Sequence, residues 1–181
     1  SQLNRLAQDQ PVGVSMDTYE VLKCSKELYE LSQGVFDITV ASELMGCNLL
    51  PRHEFFKKTG PLSGRTCDID LMAGRRVRFL QPLCIDLGGI AKGFAVDQAI
   101  EVLQEHGIEG GLVNAGGDMR CFGEEEQSVH VRHPKIPGQF VALPPLRNMA
   151  LATSANSYEG QAHTFQNGAQ VHGRTRKLLR R

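Results

Sequence analysis

The stretch from Cys84 to Gly123 contains charged side chains beside glycine turns, a combination that can bind a ligand. Asp86 and Leu87 precede a double glycine, and Lys92 follows three residues after it. A helix that begins after two glycines points free backbone N–H groups at whatever occupies the turn, and the missing side chains let a ligand approach closely. Such a turn favours an anion, and Lys92 could reach back to it as a charge suited to phosphate oxygens. Asp86 would instead suit a ribose hydroxyl, a ring N–H or a divalent cation.

The same residues also have a purely structural interpretation. Gly88 and Gly89 would then form an ordinary strand-to-helix turn, with Asp86 capping the helix and Lys92 solvated. The segment "GGIAKG" lacks the four-residue spacer of a P-loop and the Ser or Thr that follows its Lys, and the pattern G-x-G-x-x-G does not occur. The local pattern therefore leaves both a phosphate site and a simple turn open.

A second double glycine follows in "LVNAGGDMR", where Asn114 and Asp118 flank Gly116 and Gly117. A tight hairpin at the end of an apolar strand is the structural interpretation. A role in ligand binding is the alternative, because a strand that follows the helix would return beside the first glycine turn.

Two helices position these turns. The first covers "SMDTYEVLKCSKELYELSQG", which Ser15 or Asp17 can cap and which Gly34 ends. The second runs from about residue 89 to residue 106, with Gly107 as its stop. Its apolar face is predicted to consist of Ala91, Ala95, Ala99, Val102 and Leu103.

The remaining pattern is one of short strands. The stretch "TCDIDLMAGRRVRFLQPLCIDL" predicts a hairpin around Ala73 and Gly74, and "VFDITVASEL" predicts a short strand or an extended segment leading into another helix. A short helix is predicted near "RHEFFKK". After residue 107, "GGLVNAGG", "DMRCFG", "SVHVRHP", "QFVALPP" and "MALATSA" predict strands without crossover helices, which argues against a doubly wound parallel sheet. The expected class is α+β, with two layers in which helices pack on a largely antiparallel sheet.

The composition limits the classes of protein and partner that fit this chain. The chain has 181 residues, 41% of them hydrophobic, which predicts one compact domain. Twenty basic and twenty acidic residues cancel, and Lys and Arg cluster only in the terminal "RTRKLLRR", which argues against a nucleic-acid partner. Five widely spaced cysteines fit neither a disulfide framework nor a C-x-x-C metal site. No apolar run approaches the length of a membrane span, and the absence of a signal-peptide core predicts a cytosolic protein or a missing natural beginning.

The long central stretch "DLGGIAKGFAVDQAIEVLQEHGIEGGLVNAGGDMRCFG" resembles the core of the ApbE family, the FAD:protein FMN transferases. The segments "LNRL", "YEVLKCSKELYELSQGVFDITV" and "ALATSA" agree in the same order, so that the resemblance covers roughly residues 1 to 155. It implies a T-fold-like domain over residues 1–181 that binds FAD with Mg²⁺. The domain would move the FMN moiety onto a Thr or Ser hydroxyl of a target flavoprotein and release AMP. Hydrolysis of FAD to FMN and AMP, known in some members, is the alternative reaction.

The resemblance also implies roles for individual positions. The carbonyl of Gly89 matches a magnesium ligand, while Asn114 to Asp118 match a turn that we interpret mainly as architecture. The positions that match FAD contacts are Val35, Phe36, Asp37, Asp86, Lys92 and Val171. Members of the family commonly work on the outer side of the bacterial cytoplasmic membrane, and the chain itself predicts no compartment.

The end of the chain departs from the family. After "ALATSA" the family usually has H-x-I-D-P-R-T-G, whereas this chain continues "NSYEGQAHTFQNGAQVHGRTRK". Ala169 falls where the family carries the His that helps to activate the acceptor hydroxyl, so no catalytic residue is assigned, and His163 and His172 are the nearby candidates. The family's upstream strands and its late Asp-rich metal segment are not expected within these residues. A flavin-nucleotide-binding protein without chemistry is therefore a third hypothesis.

Overall fold

The computed structural model describes residues 1–47, 49–51, 62–133 and 136–152, together with the backbone of residues 165–166 and 169–170. These residues form two compact units, Ser1–Ala91 and Lys92–Arg181. The short helix predicted near "RHEFFKK" lies outside the described residues. Across the part of the chain that is described, no helix is both long enough and apolar enough to cross a membrane.

The first unit combines helices with a three-stranded antiparallel sheet of order β1-β3-β2. Its elements are, in chain order, helix α1 (Gln2–Leu6), strand β1 (Val12–Gly13), helix α2 (Met16–Leu31), helix α3 (Ala41–Gly46), a 3-10 turn (Thr66–Asp68) and strands β2 (Ile69–Met72) and β3 (Arg76–Phe79). The apolar residues of its main core are Leu3, Ala7, Val12, Leu22, Ile38, Ile69, Val77, Phe79, Leu83 and Ile85. Each large side chain buried in this way contributes about 1.5–3 kcal/mol to folding.

Helix α2 begins and ends at the predicted signals. The Ser15 hydroxyl accepts the Thr18 backbone N–H at 3.2 Å, which satisfies one of the free donors of the first turn. At the other end, Gly34 has a φ of 80° and donates its N–H to the Tyr29 carbonyl at 2.8 Å. Glycine adopts this left-handed conformation with the least strain, so the first predicted helix is confirmed.

The predicted hairpin around residues 73 and 74 is also confirmed. Strands β2 and β3 pair with Met72 opposite Arg76, and Gly74 and Arg75 both have positive φ angles in the turn. The segment "VFDITV" forms no strand, because turns cover residues 38–40 and helix α3 follows directly. The helix predicted to follow this segment is present, but the approach to it is a turn, so neither the short strand nor the extended approach is observed.

The second unit is mostly antiparallel strand. It contains helix α4 (Ala91–Glu105), which starts at the last residue of the first unit, and strands β4 (Gly111–Ala115), β5 (Asp118–Phe122), β6 (His130–Arg132), β7 (Phe140–Ala142), β8 (Ala150–Ala152), β9 (Phe165–Gln166) and β10 (Ala169–Gln170). Within the described residues the sheets are β4-β5-β8, β6-β7 and β9-β10. The strands predicted after residue 107 are therefore confirmed, and the fold class is α+β as expected.

The buried face of helix α4 differs from the predicted one. Val96 and Ile100 are buried and pack with Phe122, and Leu103 packs against them, whereas Val102 is 52% exposed. Positions 96, 100 and 103 lie on one face of the helix, and all three carry large apolar side chains. The prediction centred on alanines was wrong because small residues carry little apolar area and do not decide which face is buried.

Candidate functional site

The first unit brings together two segments that the sequence separates by about fifty residues. One is the loop of Val35, Phe36 and Asp37 between α2 and α3, and the other is the turn from Asp86 to Gly89 after β3. The carbonyl of Ile38 accepts the Asp86 backbone N–H at 2.8 Å, which joins the segments. A side chain added at Gly89 would place its Cβ 3.7 Å from Cε2 of Phe36, so the aromatic ring lies beside the glycine turn.

The end of helix α2 sets the direction of the first segment. The Ser32 hydroxyl accepts the Phe36 N–H at 2.9 Å and donates to the Tyr29 carbonyl at 3.2 Å. The chain therefore turns back on the helix, and Phe36 packs against the main core of the unit. Val35 points outward and is 41% exposed. An exposed apolar residue next to a half-buried ring provides an apolar edge for a planar ligand.

The Asp37 carboxylate is used inside the protein. Its side chain is only 7% exposed. Oδ1 accepts the backbone N–H of Thr39 at 2.9 Å, the hydroxyl of Thr39 at 2.7 Å and the hydroxyl of Thr66 at 2.8 Å. Oδ2 faces a guanidinium nitrogen of Arg65 at 3.4 Å. Because a buried carboxylate requires donors of this kind, the side chain stabilises its own loop, and its contact with flavin stays a prediction.

The glycine turn is shaped by Asp86. Its Oδ2 accepts the Gly88 N–H at 3.0 Å. A Cβ at Gly88 would lie 2.9 Å from the same oxygen, so this position needs glycine for the carboxylate to fold over the turn. The N–H groups of Ile90 and Ala91 both donate to the Leu87 carbonyl, at 3.0 and 2.8 Å. Because helix α4 begins only at Ala91, the Asp86 carboxylate closes the turn ahead of the helix and does not cap the helix itself. Gly88 and Gly89 remain exposed.

Lys92 belongs to the second unit, where its ammonium lies 3.1 Å from Oδ2 of Asp118. Asp118 ends the second double-glycine turn, in which Gly116 and Gly117 have φ angles of 64° and 99°. The Asn114 side chain accepts the Gly117 N–H at 2.9 Å and closes the β4-β5 hairpin. The hairpin interpretation of this turn is confirmed, and Lys92 is paired rather than simply solvated.

Asn4 is a positioning residue that the sequence analysis did not single out, although it lies within the "LNRL" block. Its side-chain amide donates to the Ile85 carbonyl at 3.0 Å and accepts the Ile85 N–H at 3.0 Å. Asn4 therefore satisfies both backbone hydrogen-bonding groups of Ile85, as a paired strand would, and so fixes the residue that precedes Asp86. Helix α1 also contains Gln2 and Arg5, so no local pattern distinguishes Asn4 from its polar neighbours.

A cavity of about 700 Å³ in the first unit extends along Asp86. Its wall includes the polar groups of Asn4, Arg5 and Thr18 and the apolar side chain of Met45. Cys84 also lines it and is buried, and this burial raises the pKa of its thiol to about 12, although the positive charge of the N-terminal amino group acts in the opposite direction. The thiol is therefore neutral at physiological pH, which argues against a nucleophilic role.

The described residues do not by themselves form a magnesium site. Among them, no three or more His, Cys, Asp or Glu side chains are grouped so that they could hold a metal ion. Mg²⁺ takes six oxygen ligands in nearly ideal octahedral geometry. Beside the Gly89 carbonyl, the turn offers the Asp86 carboxylate, which already accepts the Gly88 N–H. No step of a reaction is therefore assigned to a metal ion here.

The remaining predicted residues fall at the end of the chain. Val171, His163 and His172 lie outside the described residues. For Ala169 the structure describes only the backbone, as part of strand β10. The assignment of Val171 to flavin, like that of a catalytic base, therefore stays a prediction.

The fold and these segments define an α+β protein in which a glycine-lined turn at the start of a helix lies beside an aromatic side chain. The sequence model of the ApbE family matches residues 1–173. The chain belongs to the ApbE family, as its central motif predicted, and curated relatives in this family are named FAD:protein FMN transferase.

Individual relatives agree with this assignment. The FAD:protein FMN transferase of Vibrio cholerae serotype O1 is 29% identical over 136 residues, which cover 71% of this chain and 41% of that protein. The one from Haemophilus influenzae is 27% identical over 177 residues, covering 86% and 51%. The crystal structure of the ApbE protein from Thermotoga maritima matches with a TM-score of 0.68 at 26% identity, over 95% of this chain and 58% of that one. The chain spans about half the length of the curated relatives it matches.

Proposed function

We propose that this protein takes part in the Mg²⁺-dependent transfer of the FMN moiety of FAD onto a Thr or Ser hydroxyl of an acceptor flavoprotein, with release of AMP. The observation that carries the proposal is the contact between the Phe36 loop and the Asp86–Gly89 turn in a member of the ApbE family. The FAD donor and the flavin transfer reaction follow the names of the relatives. The metal requirement, the acceptor hydroxyl and the AMP product are parts of the proposal.

The first unit would hold the flavin end of FAD. Val35 offers an exposed apolar surface and Phe36 a half-buried ring beside the open backbone of Gly89. An isoalloxazine ring is planar and largely apolar, with polar groups on one edge, and both properties suit a site of this composition. Asp86, which lines the adjacent cavity, could accept a hydrogen bond from a hydroxyl or ring N–H of the substrate.

Lys92 would contribute in the second unit as a phosphate contact. Its side chain is 51% exposed, and its partner Asp118 is an anion of the kind that a phosphate oxygen could replace. The pyrophosphate bond is attacked at phosphorus in both the transfer and the hydrolysis reactions. A positive charge beside the phosphoryl oxygens favours either reaction, because negative charge on those oxygens must be stabilised during attack.

The transfer requires the acceptor hydroxyl oxygen to form a bond with the FMN phosphorus while the bond from that phosphorus to the AMP oxygen breaks. The hydroxyl proton must go to a base, and AMP leaves as the anion. We keep His163 and His172 as candidate bases. Magnesium, when bound, would offset charge on the phosphoryl oxygens, and we propose the Gly89 carbonyl as one of its ligands.

The proposal is tested by incubating the protein with FAD in four mixtures, with and without Mg²⁺ and with and without an acceptor that carries the Thr or Ser site. The matched control is the same acceptor with that Thr or Ser replaced by Ala. We expect AMP and covalent flavin fluorescence on the intact acceptor only when Mg²⁺ is present. AMP without labelled acceptor would replace the proposal with FAD hydrolysis, and bound but unchanged FAD would replace it with a binding protein.

A further inference from the structure

A buried hydroxyl holds the loop that carries Val35, Phe36 and Asp37. Thr66, in the 3-10 turn before β2, has no exposed surface. Its hydroxyl accepts the Ile38 backbone N–H at 3.1 Å and donates to Oδ1 of Asp37 at 2.8 Å. A threonine hydroxyl has one proton and two lone pairs, so both bonds form at the same time. One side chain from a distant turn thereby fixes two successive residues of the loop.

The Asp37 carboxylate gathers further donors at the same oxygen. Thr39 provides its N–H and its hydroxyl, and Arg65 approaches the other oxygen. The Asp37 side chain is almost fully buried, so water cannot replace a donor that is lost. Removing one donor therefore lowers the stability of the loop by more than a solvent-exposed hydrogen bond would contribute. The loop is therefore held by a connected set of hydrogen bonds, and Thr66 is its link to the sheet.

The position of the loop determines the position of the predicted flavin contacts. Phe36 and Asp37 precede Ile38, whose carbonyl accepts the Asp86 N–H at 2.8 Å. Phe36 lies against the glycine turn at Gly89. A shift of Ile38 would consequently move the ring of Phe36 relative to the turn.

We propose that Thr66 is a positioning residue for the flavin end of FAD. Thr66 would not touch the substrate, but would hold Phe36 where the isoalloxazine ring would meet it. This inference rests on the proposed function, and it adds a residue from a part of the sequence outside the matching family motifs.

The test is the substitution Thr66→Val, which keeps the shape of the side chain and removes its hydroxyl. The Ile38 N–H then loses its acceptor and Asp37 loses one donor. We expect the affinity for FAD and for FMN to fall by about tenfold, while the affinity for AMP stays unchanged because AMP lacks the flavin ring. Thr66→Ser keeps the hydroxyl and should restore flavin affinity to within about twofold of the original. Flavin binding is measured by fluorescence and AMP binding by calorimetry, both on the full chain.

Ser25→Ala is the matched control. Among the described residues of the first unit, Ser25 is the other hydroxyl side chain without exposed surface, and it donates to the Val21 carbonyl within α2, away from the loop. Its removal should lower stability without changing the ratio of FAD affinity to AMP affinity. If Thr66→Val does not fold, Thr39→Val takes its place, since it removes one hydroxyl from the same carboxylate and should lower the same ratio.

The outcomes separate the inference from the function on which it rests. FAD binding by the original protein together with unchanged flavin affinity in Thr66→Val would overturn the inference and leave the proposed function standing. Equal losses of FAD and AMP affinity would overturn it too, because they indicate general disorder of the fold. If the original protein bound no FAD, the proposed function would fail and the inference would fail with it.

Discussion

The ion pair between Lys92 and Asp118 contributes little to folding stability. Their charged atoms lie 3.1 Å apart, and the Lys92 side chain remains about half exposed. An exposed pair of this kind contributes at most about 1 kcal/mol to stability, since water and salt screen the charges. Loss of the Lys92 charge should therefore affect ligand binding far more than folding.

We predict that Lys92→Gln lowers kcat/KM for FAD by about tenfold or more, because a charge-assisted contact with phosphate is lost. Steady-state measurement of AMP release gives this ratio. The matched control is Arg120→Gln, which breaks the similarly exposed pair between Arg120 and Asp97 in the same unit, at 2.7 Å. Equal effects of the two substitutions would contradict a phosphate-binding role for Lys92.

The hydrogen-bond partners of individual side chains were the features that the sequence predicted least well. The turn around Asp86 could be predicted because its glycines and its helix lie next to each other in the chain. The partner of Asp37 could not, since Thr66 is 29 residues away and no local pattern indicates that its hydroxyl is buried against that carboxylate. Asn4 is a similar case, because it lies 81 positions before Ile85 in the sequence.

At the scale of elements, the β4-β5 hairpin depends on two kinds of glycine. Gly116, in the turn, has a φ of 64° and open space where a Cβ would stand. Gly123, just after β5, has a φ of 86°, and a Cβ there would lie 2.5 Å from the Glu109 carbonyl oxygen and 2.7 Å from the Gly110 Cα. At both positions a residue with a Cβ would have a strained backbone, because φ is positive. Only at Gly123 would the Cβ also push against the backbone of residues 109 and 110.

We therefore predict that Gly116→Ala costs about 1–2 kcal/mol of unfolding free energy, from the left-handed backbone alone. Gly123→Ala should cost several kcal/mol, since the backbone contact adds to that strain. Urea unfolding of the two variants measures the difference. Equal destabilisation would contradict the close approach of residues 109–110 to Gly123.

The elements themselves were largely predictable, for physical reasons that differ between them. Helix α2 carries its own capping serine and terminal glycine, so local sequence determines both ends. The face of helix α4 was not predictable from apolar spacing that counted alanine equally with larger residues. Its actual face is determined by Val96 and Ile100 packing against Phe122. Phe122 lies on strand β5, outside the helix, so the local sequence of the helix does not indicate this contact.

At the scale of the whole molecule, each of the two units has its own apolar core, and the cavity along Asp86 lies in the first. Cys84 lines that cavity and packs with Ala41 and Met45. Because burial raises the pKa of its thiol to about 12, against 9.0 for an unperturbed thiol, the folded protein keeps a proton that the unfolded chain releases at a lower pH. The core of the first unit should therefore be sensitive to alkaline pH.

We predict that the stability which Cys84 provides is complete below pH 9 and is lost progressively as the pH rises toward 12. In that window the free energy of unfolding should fall by up to about 1.4 kcal/mol per pH unit. Urea unfolding at about pH 8 and about pH 10 measures the slope. Cys84→Ala should be less stable at neutral pH but should show a shallower slope, and an unchanged slope would contradict the buried, neutral thiol.

Flavin transfer that uses the Phe36 loop and the glycine turn is the function we propose for this chain. The most direct measurement is the intact mass of the acceptor flavoprotein after incubation with the protein, FAD and Mg²⁺. We expect a mass gain of one FMN moiety, which is absent when the acceptor Thr or Ser is replaced by Ala. A parallel reaction with the full-length ApbE relative from Vibrio cholerae serves as the positive control. If that control labels the acceptor while this protein leaves its mass unchanged, the proposed function is contradicted.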